Sequence, residues 1–245
     1  MRWSKALRGW VPPISRSSRG WDKGRTAALL SAFALALPSA AQAPSAPASR
    51  FIVVLDAAHG GDDTGGRLAS GQLEKAVTLA LSVRLRSLLA ARGISVATTR
   101  ESDATIDPNR RAEIANHAKA DACLTLHATE TGSGIHLFTS SLPPAPSARF
   151  VAWKIAQGPW VNRSLALAGA LNSALLHAGF TVTISRTALI AVDSMACPAL
   201  AVEVAPARGS DGAVTAEPDD ANYQATVATA LATALLEWRM EARQP

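Results

Sequence analysis

The sequence is most informative first in what it has little of. Cysteine occurs twice in 245 residues, as Cys123 and Cys197, and both lie in apolar runs. In an exported chain the two could pair, but sequence spacing does not report whether their Cα atoms approach within the roughly 7 Å a disulfide requires. The expectation is two buried thiols. Long apolar runs are also missing: TAALLSAFALAL, residues 26–37, falls short of the about 20 residues a spanning helix needs. The excess of basic over acidic charge is confined to the N-terminus. Seven basic residues and one acid precede residue 44, so removing that segment takes the net charge from +5 to −1. The overall basicity is therefore no evidence for a nucleic-acid partner, and none is expected. No internal repeat or second domain is visible.

What is present is a basic leader, an apolar core and the small residues PSAAQA, the three-part pattern of a secretory signal with a cut after Ala43. Residues 1–43 read as signal peptide, 44–50 as a proline-containing linker and 241–245 as a tail. Export to the periplasm or cell envelope follows, with no stable membrane span once the leader is removed. The remaining domain, 51–240, is long enough for one sizeable core.

Within that domain strand-like and helix-like segments alternate, which predicts an α/β fold: a three-layer sandwich with a mostly parallel or mixed sheet of about six strands and helices on both faces. FIVVLDA is a continuous apolar run, as expected of a strand buried on both faces. Val77, Leu81, Leu85, Leu88 and Leu89 repeat at helical spacing between Glu74 and Arg92, with Gly93 behind them. ISVATTR, DACLTLHA, GIHLFTS, ALIAV and PALAVEVA read as further strands. RRAEIANHAKA, Ser164 to His177 and Tyr223 to Met240 read as helices, the second with Leu165, Ala168, Leu171, Leu175 and Leu176 along its apolar side.

Ligands gather at the carboxyl ends of strands in open α/β sheets. His59 follows FIVVLDAA, His127 follows CLTL, Glu203 lies inside LAVEV, and Glu74 opens the first helix. Two imidazoles and a carboxylate form a sufficient set for a catalytic zinc with an open position, leaving one carboxylate to move protons. Taken singly, each has a plain reading. A histidine at a strand end is commonly a polar tip, and an acid in a helix's first turn is favoured by the macrodipole. Glu203 is harder to set aside, because a carboxylate amid ALAVEVA needs a partner or a cavity. The glycines of HGGDDTGG do not make a phosphate cradle, since acids surround them and no helix follows directly. Nor do they show the ligand spacing of a calcium loop. His117 and His177 belong to helix C-terminal turns, and His136 is a residue that could line the cleft.

In order along the chain, LDAAHGGDDTGG, LEKAVTLAL, TTRESD, RRAEIAN, KAD, LTLHAT and PALAVEV together resemble the zinc-dependent N-acetylmuramoyl-L-alanine amidases of the Amidase_3 type. The resemblance spans 51 to about 240. It implies a six-stranded sheet, zinc held by His59, Glu74 and His127, and Glu203 as the catalytic glutamate. By the same resemblance the reaction is hydrolysis of the amide between N-acetylmuramic acid and L-alanine in peptidoglycan, by a protein expected to be a monomer. Arg100, Asp103, Arg111, Asn116 and Asp121 match positions read as structural. The chain departs from the pattern at Ala57-Ala58, where the family has Pro-Gly, and after Glu203, where VAPARG stands in place of Gly-Phe-x-Ser-Asn. Two other readings therefore stand beside the first: a degenerate relative that binds wall fragments without cutting them, and a zinc peptidase acting on another cell-wall amide.

Overall fold

A computed structural model describes residues 50–148 and 150–242. The leader, residues 44–49 of the linker and residues 243–245 of the tail lie outside that range. Among the described residues no helix is long and apolar enough to cross a membrane.

Six strands form one sheet in the order β2-β1-β3-β6-β4-β5. They are β1 (Ile52–Ala57), β2 (Ser95–Thr98), β3 (Ala122–Ala128), β4 (Ile135–Ser140), β5 (Val182–Thr187) and β6 (Ala199–Val204). The first four in spatial order run parallel, whereas β4 pairs antiparallel with β6 and parallel with β5. Helices α1 (Glu74–Ala90), α3 (Val161–His177) and α5 (Ala221–Glu241) pack on one face, and α2 (Pro108–Ala118) and the short α4 (Ile190–Asp193) on the other. The predicted three-layer architecture is the observed one.

Alternation along each strand sets the two cores. Val53 and Leu55 of β1, Leu124 and Leu126 of β3, and Leu200 and Val202 of β6 enter the larger core with Leu81, Leu85 and Leu89 of α1 and much of α5. Val54, Cys123 and Ala199 point the other way, against Ala112 and Ala115 of α2 and Val192 of α4. Successive strand residues face opposite sides, so His127 and Glu203 share the second face with Cys123 and Ala199.

Three expectations need correction. ALIAV is not a strand: Ile190–Asp193 is a helical turn, and the edge strand is the preceding VTISRT. A short apolar run fits either state, and here the Asp193 carboxylate accepts from the Leu189 amide and closes the turn. In α3 the buried stripe is Leu167, Ala168, Leu171 and Leu175, while Leu165 and Leu176 face outward. Finally, Cys123 and Cys197 are joined, with Cα atoms 6.4 Å apart. The register explains the pairing, because Cys123 lies opposite Ala199 and its amide bonds to the Pro198 carbonyl, which brings Cys197 alongside. A link across 74 residues restricts the unfolded chain by about 4 kcal/mol. Thermal unfolding with and without a reductant is expected to differ accordingly, with the reduced protein melting lower.

Candidate metal centre

The loop from Ala57 to Gly66 is built around one unusual backbone. His59 has φ 62, while Ala57 and Ala58 remain at negative φ. A left-handed non-glycine residue costs roughly 1–2 kcal/mol, so something must hold it. Two buried arginines do. Arg111 donates to the Ala57 and His59 carbonyls and pairs with Asp56, each at 2.7 Å. Arg100 donates to the Ala57 and Ala58 carbonyls at 2.9 and 3.0 Å, and to the Lys75 carbonyl at the start of α1. Asp103 accepts from Lys75 and from the Gly61 amide. Three of the positions read as structural, Arg100, Asp103 and Arg111, thus grip the turn, while Asn116 bonds to Ser194 and Ala196, and Asp121 to the Ile52 amide. The two alanines that replace Pro-Gly carry no left-handed strain, which falls on His59 instead.

This grip delivers His59 to the first residue of α1. Its Nε2 lies 3.1 Å from Glu74 Oε2, and His127 Nδ1, from the end of β3, lies 2.8 Å from Glu74 Oε1. The donor atoms of His59, Glu74 and His127 all fall within 4.8 Å of one another, and the two imidazoles meet edge to face at 5.3 Å. Amides of Gly66 and Ala128 also donate to Glu74, at 2.9 and 3.2 Å. Burial pushes the Glu74 carboxyl up, but the bonds from His127, His59 and Gly66 outweigh it and hold the group well below the usual carboxylate range. It stays ionised, as a ligand must. The bond to Glu74 raises the pKa of His59; burial opposes this and Asp63 adds to it.

Asp63 is a contributor that the sequence reading missed. Its carboxylate oxygens stand 2.9 Å from His59 Nδ1. Accepting the Nδ1 proton leaves the Nε2 lone pair free on the side facing Glu74, the arrangement that orients histidine ligands on metals. Its position four residues after His59 is the only signal the sequence offered. Gly65 completes the pocket: at φ +65, a Cβ there would lie 2.6 Å from His59 Cδ2 and 2.7 Å from Glu74 Oε2. Two nitrogens and one carboxylate converging on a space kept clear by a glycine suit a cation that accepts imidazole and carboxylate together.

Glu203 is the in-register neighbour of His127 on β6. Adjacent strands are about 4.8 Å apart, so Glu203 stands next to His127 on the same face of the sheet. It is partly open, and its partner is His136 of β4, whose Nδ1 lies 2.9 Å from Glu203 Oε1. The structure therefore brings His59, Glu74, His127 and Glu203 to one end of the sheet and adds His136 to them. His117 and His177 lie apart in the last turns of α2 and α3, as expected.

The chain is similar to known proteins in both sequence and fold. The Escherichia coli N-acetylmuramoyl-L-alanine amidase AmiA is 43% identical over 77 residues, which is 31% of this chain and 27% of that protein. A germination-specific N-acetylmuramoyl-L-alanine amidase of Bacillus subtilis is 35% identical over 97 residues, covering 34% of this chain and 40% of its own. The matches thus span well under half of these relatives. Among solved structures, the amidase Ami1 of Mycobacterium smegmatis has a TM-score of 0.63 at 21% identity, over 78% of this chain and 97% of that one. An amidase from Clostridium difficile 630 gives 0.62 at 20%, over 80% and 99%. The sequence profile described as N-acetylmuramoyl-L-alanine amidase, Amidase_3, matches residues 53–237. That match runs from β1 into the last turns of α5 and includes all the clustered side chains, and by it the chain belongs to the N-acetylmuramoyl-L-alanine amidase family.

Proposed function

We propose that the protein is a zinc-dependent N-acetylmuramoyl-L-alanine amidase that cuts the amide between the lactyl group of N-acetylmuramic acid and the first alanine of the peptide stem. The observation that carries this reading is the convergence of His59, Glu74 and His127 within 4.8 Å, with Glu203 in register beside His127. His59 Nε2, a Glu74 oxygen and His127 Nδ1 would hold the metal. When bound, zinc supplies Lewis-acid polarisation of the scissile carbonyl and of the attacking water.

The protein's own groups supply the proton chemistry. Glu203 takes the proton from the water as it attacks and passes it to the departing amine, so that one carboxylate serves as base and then as acid. Glu74, which would itself be a ligand and is anchored by the Gly66 and Ala128 amides, is not free for that role. Asp63 keeps His59 in the tautomer that ligates. Asp63→Asn is expected to weaken zinc binding about 10- to 100-fold, measured by competition with a chelator. Equal affinity in the variant would remove Asp63 from the site.

Export to the cell envelope fits the same reading. It is supported by the leader pattern of residues 1–43 and by the Cys123–Cys197 disulfide, which persists in oxidising compartments. The deciding experiment is metal analysis of the purified protein together with mass spectrometry of products from sacculi. Free stem peptide and an intact glycan are expected. Zinc bound without peptide release would point to a wall-binding protein, and cleavage within the stem would point to a peptidase.

A further inference from the structure

Three polar side chains stand in one row across adjacent strands. His127 of β3 pairs in register with Glu203 of β6, and Glu203 pairs with His136 of β4. Because β4 runs against β6, its second residue reaches the end of the sheet where β3 and β6 finish. The first two members of the row have roles in the amidase reading; the third has none.

His136 is held from several sides. Its Nδ1 lies 2.9 Å from Glu203 Oε1, with only 19% of the histidine side chain exposed. Phe138, on the same face of β4, meets the ring edge-on at 6.3 Å. Gly132, at φ +82, lies against the imidazole, and a Cβ there would sit 2.6 Å from His136 Cε1. The loop bearing Gly132 is fixed in turn. The Gly132 carbonyl accepts from Arg208 Nε at 3.1 Å, and Gly134 exchanges backbone bonds with Pro206 and Ala205. The segment after Glu203, where the chain leaves the family pattern, is thus what packs the loop onto this ring.

We propose that His136 is a positioning residue for Glu203. Its Nδ1–H donates to Oε1 and fixes the plane of the carboxylate, so that Oε2 is the oxygen presented to the attacking water. A glutamate has three rotatable bonds, and an error of about 1 Å at a reacting group can lower the rate by roughly 10²-fold. The role of His136 is to remove that freedom. The inference rests on the amidase reading, but the hydrogen bond itself can be tested apart from turnover.

His136→Ala should retain zinc, keep KM within about twofold and lower kcat by roughly 10- to 100-fold. His136→Asn places an amide N–H near the position of Nδ1–H and should recover most of that loss. An Asn variant as slow as the Ala variant, with both folded and zinc-loaded, would overturn the positioning role, as would an unchanged kcat in His136→Ala. Independently, proton NMR of the zinc-loaded protein should show a protected, downfield Nδ1–H of His136 that disappears in Glu203→Ala. A ring protonated at Nε2 alone would overturn the hydrogen bond. If the unaltered protein releases no stem peptide, the amidase reading fails while the NMR result still decides the pair.

Discussion

Glu203→Ala should bind zinc as tightly as the unaltered protein and release stem peptide from sacculi about 10²–10⁴-fold more slowly. The separation of the two effects follows from the architecture. The three candidate ligands come from the β1–α1 loop, the first residue of α1 and the end of β3, and their hydrogen bonds run to Glu74, Asp63, Gly66 and Ala128, with none to Glu203. Truncating Glu203 therefore removes the proton carrier and leaves the donor cluster whole. His127→Ala gives the converse. It deletes a nitrogen from a set of three, so both zinc and activity should be lost. Full activity in Glu203→Ala on purified peptidoglycan would show that another group moves the proton.

Arg111→Ala is expected to lower stability by about 3–5 kcal/mol, a fall in melting temperature of roughly 10 °C for a domain of this size. The guanidinium is buried and serves three masters at 2.7 Å: the Asp56 carboxylate and the Ala57 and His59 carbonyls. Without it, Asp56 retains one bond, from the Thr99 hydroxyl, and its other oxygen already has no partner among the described residues. The left-handed His59 also loses half of its clamp, so zinc affinity should fall with stability. Lysine cannot replace this fork, because its single ammonium lacks the fixed spread of donors that reaches all three acceptors. Asp56→Asn in the Arg111→Ala background should restore part of the stability, since it removes the stranded charge. Strictly additive losses in the double variant would show that the ion pair is not the main term.

The elements that the sequence made legible are those whose burial is simple. FIVVL and CLTL are buried on both faces and read as strands without ambiguity, and α1 carries its leucines at helical spacing through Leu89. VTISRT was harder because it forms an exposed edge strand, so its alternation carries little of the apolar contrast that marks a buried one. The disulfide depends on strand register, which no local pattern contains. The contact between His136 and Glu203 has the same origin, since it joins residues 67 apart through an antiparallel pairing. The departure at Ala57-Ala58 leaves those two residues at ordinary φ: the unusual backbone is at His59, and it is carbonyl capture by Arg100 and Arg111 that allows it.

The reversal of β4 divides labour across the sheet. The candidate metal-holding residues belong to the parallel half, where β1 and β3 are flanked by strands on both sides and covered on both faces. The residue that aims the base belongs to the antiparallel half, one strand from the open edge. An amidase laid out in this way is modular in a sense the linear sequence hides. Exchanges along β4 and the loop that presses on it bear on the Glu203 carboxylate through His136, whereas His59, Glu74 and His127 are held from β1, α1 and β3.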